Sequence, residues 1–110
     1  LLVADLQRSV TFYQSLGFTE EIIGGHTHMQ RDRVTFILHP ARDTADVRPY
    51  SAAEGGLYFD AFCYADGIRS LFEQVQSAGI EVANGPNWSD HWSEFTIKDA
   101  DGYRIAFGGA

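Results

Sequence analysis

The feature that most constrains this chain is an internal repeat. Ala4-Asp5-x-x-Arg8-Ser9 returns as Ala65-Asp66-x-x-Arg69-Ser70, and each copy opens a helix-patterned segment that ends at a glycine, Gly17 or Gly79. Such self-similarity argues for one supersecondary unit used twice, with the apolar face of each copy needing its own sheet to cover it. In the first copy Leu6, Val10 and Tyr13 fall on one helical stripe that Phe12 and Leu16 widen. In the second, Ile68, Leu71, Phe72 and Val75 give the i, i+3, i+4, i+7 pattern of a helix with one buried face. Asp5 and Asp66 stand where N-caps are expected.

Short β-prone runs surround these helices. Residues 1–4 read as the tail of a strand, and 19–24, 27–31 and 34–39 read as three more, broken by Gly24-Gly25 and by Asp32. In the second half 57–64 and 80–83 are expected strands, 85–93 is a loop carrying Trp88 and Trp92, and 94–98 with 103–107 form a hairpin. The turn of that hairpin, 99–102, contains the Asp-Gly pair that tolerates positive φ. Each half is therefore strand, helix and three strands, an α+β arrangement of two βαβββ modules. Residues 1–39 and 57–110 are the expected modules of a single 110-residue domain, with 40–56, which lacks periodicity, as a surface linker.

Composition narrows the partners. An apolar content of 45% suffices for a core without staples. Fifteen acidic against eight basic residues give a net charge of −7, which repels phosphate backbones and anionic lipid and favours cations. Nucleic acid and membrane are accordingly not expected partners, and no apolar run approaches the roughly 18 residues that span a bilayer. The chain opens at Leu1 without Met and without a signal-peptide pattern, so its natural N-terminus is expected upstream. Cys63 is the only cysteine, which rules out an internal disulfide and fits a cytoplasmic location. In a hydrophobic strand with no cation near it in sequence, that thiol reads as buried and inert. Neither a Gly-x-Ser-x-Gly elbow nor a phosphate-cradling glycine loop occurs.

Two motifs carry a family resemblance. Val3-Ala4-Asp5-Leu6-x-x-Ser9-x-x-Phe12-Tyr13-x-x-x-Leu16-Gly17-Phe18 is similar to the opening of a vicinal-oxygen-chelate module. Residues 94–109, Glu-Phe-Thr-Ile-Lys-Asp-Ala-Asp-Gly-Tyr-Arg-Ile-Ala-Phe-Gly-Gly, resemble the closing hairpin of the same glyoxalase, bleomycin-resistance and extradiol-dioxygenase superfamily, with Ala100 where the pattern has Pro. The resemblance implies paired modules whose curved mixed sheets enclose a cleft, helices outside, and a homodimer as the expected assembly. Metal-using members hold their ion with four His or Glu ligands, one from each of four inner strands. By the resemblance the last falls on Ala106, the one opening the second module on Phe59, a third on Ile37 or, one residue along, near His39, and the first before Leu1. Phe59 and Ala106 have no donor atom, so neither a metal nor another cofactor nor a catalytic residue is expected.

The 57–64 segment and the tryptophan loop look most like bleomycin-resistance proteins, which implies sequestration of a bleomycin-type antibiotic, and the acidic charge with an aromatic cleft favours a flat, cationic compound. A metal-dependent lyase, isomerase or dioxygenase of the same superfamily is the alternative. Strand pleating would put Leu57, Phe59, Ala61 and Cys63 on one face, and Phe59 marks that face as the expected cleft lining. Trp88 and Trp92 either cover a planar ligand or pack the loop onto the sheet or a dimer interface. His91 is either a ligand contact or an exposed loop residue, and Glu94 either a cleft carboxylate able to act as a base or a solvent-facing one. The expected ligand-binding set is thus Phe59, Ala61, Trp88, His91, Trp92, Glu94 and Ala106. His26 and His28 share a strand face, a geometry that can hold a metal, but no third ligand is placed beside them, and an exposed polar strand is the expectation.

Overall fold

Asp5 starts the first helix as its chemistry allows: its Oδ1 accepts the Arg8 N–H at 3.1 Å, satisfying one of the donors that a helix start leaves open. Helix α1 (Leu6–Gln14) follows, and the Phe18 N–H closes it by bonding the Tyr13 carbonyl at 3.1 Å. The computed structural model describes residues 1–53 and 58–110 and divides them into two units, Leu1–Arg48 and Pro49–Ala110.

In the first unit, β1 (Leu2–Val3), β2 (Thr19–Ile23), β3 (His26–Arg31) and β4 (Val34–Pro40) form a sheet in the order β1-β4-β3-β2, β1 parallel to β4 and the rest antiparallel. Tyr13 of α1 is fully buried, its ring 5.5 Å from Phe36 and 5.4 Å from Phe18. Phe36, Met29, Leu38 and Val3 therefore mark the side of this sheet that the helix covers.

The second unit repeats the plan. β5 (Ala61–Tyr64), α2 (Ile68–Ser77), β6 (Val82–Asn87), β7 (Ser93–Lys98) and β8 (Arg104–Gly109) give the order β5-β8-β7-β6, β5 parallel to β8. The strand order is that of the first unit, position for position, and the α+β fold of two βαβββ modules is as the repeat predicts. Ile68, Leu71 and Val75 bury the α2 stripe, each worth about 1.5–3 kcal/mol on leaving water. Phe72 of α2 meets Phe95 at 5.0 Å, and Phe95 meets Phe107 at 5.6 Å. Register then sorts the sheet into two faces. Cys63, Phe95 and Phe107 share the helix-covered face, whereas Phe62, Thr96 and Ala106 share the other, followed by Tyr64, Glu94 and Gly108.

Four sequence expectations are corrected. Asp66 does not cap α2; Gly67 occupies the N-cap position at φ +61°, a left-handed conformation that glycine adopts without strain. β6 runs over 82–87 rather than 80–83, taking the first third of the expected loop, because Gly85 (φ +84°) and two register shifts let it stay paired with β7. β5 begins at Ala61, since at Asp60 the carboxylate turns aside to accept the Ser51 N–H at 2.8 Å, the Ser51 hydroxyl at 2.5 Å and the Arg104 N–H at 2.8 Å. Leu57, the expected start of that strand, lies outside the described residues. The expected structureless linker also contains two single 3₁₀ turns, Thr44–Asp46 and Tyr50–Ala52, the second tied to Asp60 through Ser51. The hairpin turn is as expected: Asp99 Oδ1 accepts from Asp101 and Tyr103 N–H, and Gly102 N–H bonds the Asp99 carbonyl at 3.1 Å.

Candidate functional site

The site is built on the helix-free face of the second module, beginning with a missing side chain. A Cβ on Gly108 would lie 2.5 Å from Trp92 Cζ2 and 2.7 Å from Phe62 Cζ, closer than non-bonded carbons come. Glycine here lets both rings settle over the β8 backbone. Their planes differ by 11° with centroids 6.3 Å apart, and Tyr64 stands across both, 5.6 Å from Phe62 and 5.9 Å from Trp92. Phe59 continues the group, 5.6 Å from Phe62 and 4.7 Å from Tyr58. Tyr64 and Trp92 remain 63% and 39% exposed, so these rings are not a sealed core.

Two polar contacts fix the indole. The Trp92 Nε1–H donates to Glu94 Oε2 at 3.0 Å, and the Trp92 backbone N–H donates to Ser89 Oγ at 3.0 Å. Ser89 Oγ in turn donates to the Trp92 carbonyl, and its N–H reaches Ser93 Oγ at 3.2 Å, which knits 89–93 into a tight turn. A buried Tyr or Trp usually finds a partner for its polar atom, and here the partner also sets the plane of an exposed ring.

The expected site residues separate. Phe59, Trp92, Glu94 and Ala106 gather on or beside this face. Ala61 does not: it pairs with Ile105 on the helix-covered side, while Ala106 pairs with Phe62. Ala61 and Cys63 do share a face, as the pleat predicts, but it is the helix-covered one, whereas Phe59, before the bend at Asp60, lies with Phe62. Trp88 also leaves the group, its ring edge-on to Phe72 at 5.5 Å and under the Arg69 guanidinium at 4.5 Å, so it fastens the loop to α2. His91 is exposed on the 89–93 turn, and none of the ring contacts among the described residues joins it to the aromatic group. Sequence reasoning missed Phe62, Tyr64, Gly108 and Asp60. The first two lie on the opposite side of the same pleated strand, and Gly108 offers no side chain for a pattern to register.

Burial pushes the Asp60 carboxyl up, but hydrogen bonds from the Ser51 hydroxyl and the Arg104, Ser51 and Tyr50 N–H groups outweigh it and hold the group below its ordinary value. Cys63, buried on the helix side, is pushed up to about 12, which leaves the thiol inert at neutral pH. A concave space of about 380 Å³ opens at the start of α2, lined in part by Gly67, Arg69, Ser89, Asp90 and Ser93. Two of its hydroxyls are engaged by backbone: Ser93 Oγ accepts from the Ser89 N–H and donates to the Ser89 carbonyl, and Ser89 Oγ donates to the Trp92 carbonyl.

The donor set does not fit the superfamily's metal. Phe59 and Ala106 offer no lone pair, and among the described residues no group of three or more His, Cys, Asp or Glu is placed to hold an ion. In the first module the rings of His26 and His39 come within 6.3 Å, while His28 Nδ1 lies 3.1 Å from the His26 carbonyl.

The sequence model of the Glyoxalase/Bleomycin resistance protein/Dioxygenase superfamily matches residues 1–107. The chain belongs to that superfamily. No curated protein matches it. Among solved structures, members of the fold overlay closely at low identity. A protein from the mobile metagenome of V. Pseudocholerae is 22% identical with a TM-score of 0.74, the match covering 99% of this chain and 88% of that one. TioX from Micromonospora sp. ML1 is 16% identical with a TM-score of 0.74, over 100% of this chain and 91% of its own. TnmS3, an antibiotic binding protein from Streptomyces sp. CB03234, is 18% identical with a TM-score of 0.72, over 99% and 89%. At these identities the superfamily likeness speaks for the fold, and the site has to be argued from its own residues.

Proposed function

We propose that this protein binds a flat small molecule on the aromatic face of its second module and does not transform it. The observation that carries this reading is the ring group of half-buried Phe62 with exposed Tyr64 and Trp92, held in one geometry by Gly108 and Glu94. Rings fixed in advance lose little entropy when a planar guest stacks on them, and each stack adds about 0.5–1.5 kcal/mol beyond the area it buries. Ala106 and Phe59 stand where metal-using relatives have ligands, so the face offers contact rather than a Lewis acid. TnmS3, described as an antibiotic binding protein, shows that this fold serves such a purpose elsewhere. The proposed ligand is accordingly of the bleomycin type, planar and cationic, the charge of −7 favouring its approach. A free, inert Cys63 supports a cytoplasmic protein, and a homodimer is the assembly implied by the superfamily resemblance.

The test uses Trp88→Phe, which leaves Trp92 as the sole indole. Bleomycin added to this variant is expected to change its emission saturably, and Trp92→Ala to weaken binding by about 1–3 kcal/mol. Unchanged emission at high drug concentration, together with turnover of a small dicarbonyl or a catechol, would replace this reading with the enzyme one.

A further inference from the structure

The ring group is more specific than a flat apolar shelf. Phe62 and Trp92 share an orientation to within 11°, and Tyr64 crosses them at 64° and 74°, so one cluster holds ring planes in two orientations. The carboxylate joined to the group is half-buried Glu94, and the indole N–H engages its Oε2. A carboxylate accepts on both oxygens, so Oε1 retains its capacity and Glu94 its charge.

A neutral planar guest uses the π-faces and has no use for a charge held against them; indeed, part of that charge's hydration would be stripped as the guest settles. A small cation bearing alkyl groups uses both features. Its diffuse positive charge is drawn to ring faces within about 6 Å, its methyl groups cover the exposed ring surface of Tyr64 and Trp92, and the carboxylate supplies the counter-charge. A primary ammonium or a metal ion is a poorer match, since each demands several hydrogen-bond acceptors or oxygen ligands and Glu94 is one carboxylate among hydrocarbon rings. We infer that the positive end of the ligand is an alkylated ammonium, tertiary or quaternary, seated among Phe62, Tyr64 and Trp92 with Glu94 as its counter-ion. This rests on the reading above that the face takes a small molecule, and it replaces a diffuse attraction to an acidic protein by a local one.

Two probes of one shape separate the ideas: (4-hydroxyphenyl)trimethylammonium and its neutral isostere 4-tert-butylphenol, each titrated against Trp88→Phe with Trp92 emission as the readout. The cation is expected to bind about tenfold tighter, a preference of the size that desolvated cation–π contacts give. Glu94→Gln keeps an acceptor for the indole N–H but removes the charge, and should cut the preference to about threefold or less, with the cation losing affinity. Tyr64→Leu should reduce the preference in the same direction. Equal binding of both probes would overturn the inference and leave the planar-ligand reading intact. Binding of neither probe, nor of bleomycin, would overturn both. A preference that survives Glu94→Gln but collapses with added salt would assign the attraction to the field of the whole protein and overturn the local site. Concentration-dependent self-association that Trp92→Ala abolishes, with no probe bound, would show the rings to be a protein interface instead.

Discussion

The two modules share a strand order and a helix placement, yet their helix-free faces have little in common. On the first, that face carries Ile23, His26, His28, Ile37 and His39, aliphatic and titratable side chains with Ile23 and Ile37 49% and 47% exposed. On the second it carries Phe62, Tyr64, Ala106 and Gly108, with Trp92 laid over it and Glu94 beside it. The helix-covered faces, by contrast, are alike in kind: Tyr13 against Phe36 in one, Phe72 against Phe95 and Phe107 in the other. The covered positions have to close a core, and packing tolerates few solutions there. The helix-free positions are under no such shared packing demand, and the ligand face proposed above is where the second module differs most from the first.

Truncation gives the largest effect by which that contrast can be broken. Phe95→Ala should cost about 3–5 kcal/mol in urea denaturation, whereas His39→Ala on the exposed face of the first module should stay within about 0.5 kcal/mol. Phe62→Ala should fall well short of Phe95→Ala; an equal cost would make the ring group ordinary core and erase the distinction between the faces. Gly108→Ala comes next. Its methyl must push Trp92 or Phe62 aside, for about 1–3 kcal/mol of overpacking, and affinity for a planar ligand should fall with it. The corresponding change of an outward residue in the first module, Ile37→Ala, should leave ligand affinity untouched.

How much of this was legible in the letters follows the same division. The helix-covered positions repeat at helical spacing, and the Asp5, Gly17 and Asp-Gly signals are local chemistry, so both modules and the closing hairpin could be read directly. The uncovered face was harder. Phe59 precedes a bend at Asp60, whose carboxylate bonds Ser51 and Arg104, residues 9 and 44 positions away, and no local pattern reports a contact of that range. A similar limit parted the two tryptophans, four residues apart in sequence: Arg69 and Phe72 claim Trp88, while Gly108 and Glu94 claim Trp92.

Asp60 offers a smaller test, through pH. Its folded-state carboxyl lies below the ordinary value of 3.8, so the stability it contributes is fully present above that value and is lost as pH falls through the lowered one. Asp60→Asn should therefore lower the denaturation midpoint at pH 7, and the gap to the unaltered protein should narrow in acid. A gap independent of pH would deny the carboxylate its role in holding Ser51 and β8. Smallest of all, Cys63 in the folded protein should resist thiol reagents at pH 8 and react only on unfolding, since its thiol is pushed up to about 12.

The most direct test of the central claim sets the two indoles against each other in one spectrum. Their Nε1–H signals are resolvable by proton–nitrogen NMR, with Trp92→Phe and Trp88→Phe to assign them. On titration with bleomycin, the account predicts that the Trp92 signal shifts progressively to saturation while the Trp88 signal, pinned between Phe72 and Arg69, stays in place. A shift confined to Trp88, or two signals that never move, would contradict it.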